Sequence, residues 1–359
     1  MRKILVLLLL LWCIVPACAA EIPEDLMDSI PNSAREMLDN ADKVYNFTSL
    51  SDGLSGLWNR TCKLLAVTVQ DSLGGVILVL SAILLCSAAE NCFTAAGSGR
   101  LFDPVPMVGT LVILLAVGSN MKNLMGLGEE TIEELNIFSK ALLPTLSAAT
   151  AAGGGAVAAS VRQVATVFFS DLLMSLIRSL LLPLVWVFVA LSAADAILPA
   201  GRLGGIARGL KKGITWLLSG SLLLFTGYLS LSGAFAASAD NLTLRMTRSA
   251  IGGAIPVVGS IISDAADTIL AGAGVLKQSV GILGTLTILA ACILPFLKLG
   301  VQYLLLKLSA FFAATVAPEP LVRLVDALST AFGLVLGMTG AAAALLLISV
   351  ASSVMVVSV

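Results

Sequence analysis

From Leu64 to the C-terminus, long apolar runs are separated by short clusters of charge. A helix needs about 20 predominantly apolar residues to cross hydrocarbon, and this pattern predicts a string of membrane spans. Leu73 to Ala89 and Val105 to Met121 form the first pair, joined by a loop that holds Gly97-Ser98-Gly99 and Asp103-Pro104. The next segment, EETIEELNIFSK, alternates four glutamates with Ile132, Leu135, Ile137 and Phe138, so it is expected to lie along the outer interface with its apolar side down. Ala141 to Val161 is rich in alanine and glycine and reads as a loose helix that either approaches its neighbours closely or breaks within the membrane. Val164 to Leu198 contains Asp171, Arg178, Pro183 and Asp195, which leaves a kinked long helix and a tight helical pair both open. Ile214 to Phe235, Ile282 to Pro295 with Phe296 to Ala314, and Leu328 to Val350 complete a set of about five to eight crossings.

The first apolar run is of another kind. Arg2 and Lys3 precede Ile4 to Val15, and Pro16 with Ala17-Cys18-Ala19 supplies small residues at a cleavage position. Residues 1–19 are therefore expected to be a signal peptide. Residues 20–63 form a short exported region, in which Leu38, Ala41 and Tyr45 recur at helical spacing among charged residues. That helix would rest on the membrane, touch a partner or serve as a solvated tether. Residues 64–359 make up the polytopic membrane domain.

Arg202, Arg208, Lys211 and Lys212 are the densest basic cluster, and the positive-inside rule puts their loop in the cytoplasm. Gly201, Gly205, Gly209 and Gly213 fall every fourth residue through it, a stripe that on a helix would admit a second backbone. Pro144 and Pro183 are 39 residues apart, as are Pro256 and Pro295. Each pair brackets a small-residue segment and then an apolar one, which suggests a duplication, residues 141–236 and 254–350. Three helical elements per copy would make the two inverted in the membrane.

Composition agrees with this layout. The chain is 58% hydrophobic and 12% charged, with a mean hydropathy of +1.01, whereas soluble domains carry about 25% charged residues. An all-α, polytopic membrane protein follows, with lipid as its first partner. A net charge of −1 with scattered Lys and Arg gives no basic face for nucleic acid. There is no histidine, which excludes the histidine-based triads and HExxH zinc sites. No GxxxxGK[ST] run occurs, and no cofactor is expected. Once the leader is removed, Cys62, Cys86, Cys92 and Cys292 show no paired spacing and imply no disulfide framework.

Charge inside apolar sequence is the remaining clue. Each ion costs roughly 2.5–3.5 kcal/mol to insert, so it persists where it meets protein, water or headgroups. Asp264, Asp267 and Lys277 interrupt the stretch from Ser249 to Pro295. The two aspartates are three apart and share a helix face, either at an interface or lining a watery cleft. Asp171 and Arg178 lie seven apart, about 10 Å along one helix, too far for a direct pair, so each needs another partner or the interface. Asp264 and Asp267 are too close in sequence to act as an intramembrane aspartyl pair drawn from two helices.

The stretch SAIGGAIPVVGSIISDAADTILAGAGVLKQSVGILG, followed by an apolar run to Pro295-Phe296-Leu297-Lys298, resembles the signature of the stage III sporulation protein AE family. The resemblance implies a structural or channel role without catalytic residues. It implies a place in a secretion-like complex made by the mother cell, in the outer forespore membrane. The implied partners are the other stage III sporulation A-operon membrane proteins and a partner in the forespore membrane. A secondary permease for a small solute remains the alternative, on the strength of the inverted duplication and the intramembrane charges. Reporter fusions at Lys211 and at Glu133 should give cytoplasmic and exported signals respectively, and the same side for both would overturn this layout.

Overall fold

The computed structural model describes residues 24–38, 50–95, 104–153, 156–198, 203–254 and 259–355. Among these, every regular element is helical. Two short helices, α1 (Glu24–Asp28) and α2 (Asn32–Leu38), precede α3 (Leu50–Ala95), α4 (Pro104–Ala152) and α5 (Ala156–Leu176). A π-helical turn (Ile177–Leu181) leads into α6 (Leu182–Ile197), and α7 (Gly204–Ala254), α8 (Gly259–Ala313) and α9 (Glu319–Met355) follow. Six segments, of 28 to 48 residues, are long and apolar enough to cross a membrane, and the chain is a multi-pass membrane protein. The expected leader lies outside the described residues, as do Ala41, Tyr45, Gly201 and Pro256.

The helices pair as three hairpins, α3 with α4, α5–α6 with α7, and α8 with α9, and the described helix ends that flank their connections gather at one end. Ser87, near the end of α3, donates to the Val316 carbonyl in the α8–α9 turn. Gly109, near the start of α4, lies under Leu321 of α9. A cavity bounded by the end of α6, the start of α7 and the α8–α9 turn joins the second hairpin to this end. It carries Arg208 and Lys211 and is called the basic end below.

The structure differs from one sequence expectation, settles a second that was open and bears on a third. The glutamate-rich segment is no separate interfacial element but the middle of α4, which runs unbroken through Pro144. Its apolar side, Ile132, Leu135 and Phe138, is buried in the bundle rather than in headgroups, while Ile137 is exposed. Residues 164–198 form one long helix rather than a pair. Pro183 has no N–H and its ring crowds the carbonyl one turn back. The π turn just before it absorbs the mismatch, with the Leu182 N–H reaching the Ile177 carbonyl five residues back. Finally, α6 and α8 both run toward the basic end, so the helices that hold Pro183 and Pro295 are related without inversion.

The core forms around α9. Phe332, Val335, Met338, Ala342, Leu346 and Ser349 are all buried, the Ser349 hydroxyl donating to Thr166 of α5 at 2.9 Å. Close approach depends on glycine. A methyl group at Gly281 of α8 would sit 2.5 Å from Val354, at Gly284 2.8 Å from Leu142, and at Gly128 of α4 2.7 Å from Val335. Without a hydrophobic force between helices in lipid, such tight contacts and the dispersion they bring are what hold spans together. The stripe on α7 behaves differently: among the described residues, nothing beyond the local helix backbone lies within 4 Å of where a methyl group would stand at Gly205, Gly209 or Gly213.

The segment 24–38 docks on the bundle instead of hanging free. Leu26, Ala34 and Met37 are buried, the Ser33 hydroxyl donates to Glu134 of α4, and Arg60 of α3 donates to the Met37 carbonyl at 2.8 Å.

Replacing Gly281 or Gly284 by valine overfills a closed contact and should lower stability by about 1–3 kcal/mol. Gly209→Val should leave it unchanged. Thermal unfolding in mild detergent measures both, and equal effects at the two kinds of site would contradict this packing.

Candidate functional site

Helix length sets the scale of the site. At ~1.5 Å per residue, α4 and α8 measure roughly 70–80 Å, more than twice the hydrocarbon thickness of about 30 Å. Arg178, Lys122 and Asp71 each stand about 20 residues, or about 30 Å, from the turn at the basic end. Between that level and the basic end, the outer helices expose bulky apolar side chains such as Leu85, Leu115, Trp186, Leu223 and Phe311. Charged and polar residues then gather in a belt halfway along the bundle.

The belt is held by pairs between α4 and the α5–π segment, which run antiparallel. Arg178, inside the π turn, places Nη1 3.0 Å from Glu133 and Nε 3.4 Å from Glu129. Nearer the far end of the bundle, Asp171 lies 3.8 Å from Lys140. Both sequence-selected groups therefore have partners on α4, as their separation required. All five side chains are about half exposed, so each pair contributes about 0–1 kcal/mol and positions more than it stabilises. Glu129, Glu133, Asp171 and Arg178, without Lys140, line a crevice of about 360 Å³ that adds Asn136 and carries three acids against one arginine. A second crevice of about 650 Å³, on the side formed by α3, α4 and α8, brings Asp71 and Glu130 together with Lys122 and Lys298.

The other selected residues are distributed differently. Lys277 on α8 is 2% exposed, so its charge is enclosed by protein. Asp264 and Asp267 fall in the first turns of the same helix, and their side chains lie outside what the structure describes. Gly205, Gly209 and Gly213 sit on α7 with open space beside them.

Two features were missed by reading along the chain. Asp195 is buried, and its Oδ1 accepts the N–H groups of Leu203 at 2.9 Å and Gly204 at 2.7 Å, capping α7 from the end of the preceding helix. A cap from eight residues away leaves no Ser, Thr, Asp or Asn at the helix start to signal it. Lys307 pairs with Asp326 across the α8–α9 hairpin. Lys298 lines the second crevice.

Comparison with known proteins bears on this arrangement. No solved structure matches the chain. The curated stage III sporulation protein AE of Bacillus subtilis (strain 168) is 28% identical over 257 residues, covering 72% of this chain and 64% of that protein. The family model for stage III sporulation protein AE matches residues 41–358, a span that takes in all six long helices. The chain thus belongs to the stage III sporulation protein AE family.

Proposed function

We propose that this protein is a structural, pore-associated subunit of a sporulation membrane complex that links mother cell and forespore. It would sit in the outer forespore membrane with its basic end in the mother-cell cytoplasm. The observation that carries the proposal is the two-tier bundle. One tier matches a bilayer and exposes bulky apolar side chains, and a charged belt follows at about one hydrocarbon thickness. The rest of each long helix continues past the belt, where the docked segment 24–38 also lies. A protein that must meet a second membrane's components across a gap is served by such a projecting tier.

Its partners on this reading are other stage III sporulation A-operon membrane proteins and a forespore membrane protein, with the belt and the far tier as contact surfaces. The family membership and the printed name of the B. subtilis relative support a role in sporulation. The permease alternative loses one of its two supports, because it drew on an inverted arrangement and the helices that hold Pro183 and Pro295 run in parallel. Lys277 fits either role, being enclosed by helices instead of facing acyl chains.

Two variants test the proposal. Arg178→Glu places three carboxylates together on α4 and the π turn, and should reduce co-purification with other stage III sporulation membrane proteins in mild detergent. Glu129→Arg with Glu133→Arg should restore it, and an intact complex in the single variant would argue against the belt. Asp264→Asn with Asp267→Asn should abolish spore formation at normal protein levels, and full spore yield would remove these residues from the site. Solute uptake by the protein alone in liposomes would favour the permease.

A further inference from the structure

A cavity of about 870 Å³ opens at the basic end, between the end of α6, the start of α7, and the α8–α9 turn. Its walls hold three carboxylates, and each is engaged. Asp195 takes the α7 amides, Asp326 takes Lys307, and Glu319 takes Arg323 Nη1 at 3.3 Å. Two further cations, Arg208 and Lys211, line the same cavity one turn apart on α7 and have no acidic partner among the described residues. Arg208 uses Nε to donate to the Gly204 carbonyl at 3.1 Å, which fixes the guanidinium and leaves its outer N–H groups available.

The rest of the lining is apolar and leads toward the membrane. Leu304, Leu308 and Phe311 fall at i, i+4 and i+7 on one face of α8, and they are 57%, 53% and 70% exposed. They form a stripe that starts beside the cations and climbs toward the belt. A headgroup-sized cationic pocket above an apolar track matches one class of molecule.

We propose that this cavity binds an anionic phospholipid, with its phosphate on Arg208 and Lys211 and an acyl chain along Leu304, Leu308 and Phe311. Basic pockets between spans on the cytoplasmic side are suited to anionic headgroups, and guanidinium offers the paired donors that phosphate oxygens accept. Free inorganic phosphate could share the cations, but it has no use for the apolar stripe. Binding there would pin the α6–α7 turn to the α8–α9 turn, holding two hairpins in register.

Native mass spectrometry of the full chain in mild detergent, titrated with phosphatidylglycerol or with phosphatidylcholine, reads this directly. Phosphatidylglycerol should bind about tenfold or more tightly than phosphatidylcholine. Arg208→Ala with Lys211→Ala should remove that preference, while Lys212→Ala, a neighbour outside the cavity lining, should keep it. Leu308→Ser should weaken retention of both lipids and serves if the double variant does not fold. Equal binding of the two lipids by the unaltered protein would overturn the proposal. So would a preference unchanged in the double variant, or displacement of the lipid by millimolar inorganic phosphate.

Discussion

An ionised side chain cannot be solvated by acyl chains, and its transfer there costs several kcal/mol. The bundle is arranged around that penalty. On either side of its apolar tier charges collect at two levels, the basic end and the mid-height belt, where water, headgroups or opposite charge can meet them, and further charges such as Arg35 and Arg60 lie past the belt. Lys277, which stands at neither level along α8, is enclosed by protein. Bulky apolar side chains are exposed on the outer helices between the two levels, and others, Trp58, Val164 and Phe168 among them, are exposed past the belt.

Backbone satisfaction is the second constraint on that tier. A helix closes its own hydrogen bonds, so long unbroken helices are the cheapest way to cross. Where proline breaks the ladder, the chain either continues with one bond lost, as at Pro144, or inserts a π turn, as before Pro183. The π turn also sets Arg178 opposite Glu129 and Glu133. A local repair of the backbone thereby positions the best-connected group of the belt.

Packing against α9 completes the frame. Glycines at 128, 281 and 284 let large neighbours lie against the backbone, and a buried Ser349–Thr166 hydrogen bond joins two hairpins. Helix α7 stays at the edge, with its glycine face open and Trp216, Leu223 and Leu224 exposed.

The sequence by itself determined the class of protein and the residues of the basic cluster, and it bounded the crossings at about five to eight, because these follow from summed apolarity and charge along the chain. The signature from Ser249 onward also carried the family. Tertiary structure decided the rest. Apolarity reports whether a residue tolerates lipid but not whether it meets lipid or protein, so the glutamate-rich segment read as interfacial when it is the middle of α4. The same limit hid which glycines pack: those in α7 make the more regular stripe, yet those in α4 and α8 make the contacts. The partners of Arg178, Asp171, Lys307 and Asp195 come from other helices or across a turn, and no spacing along one element can reveal a contact that exists only after antiparallel helices are laid side by side.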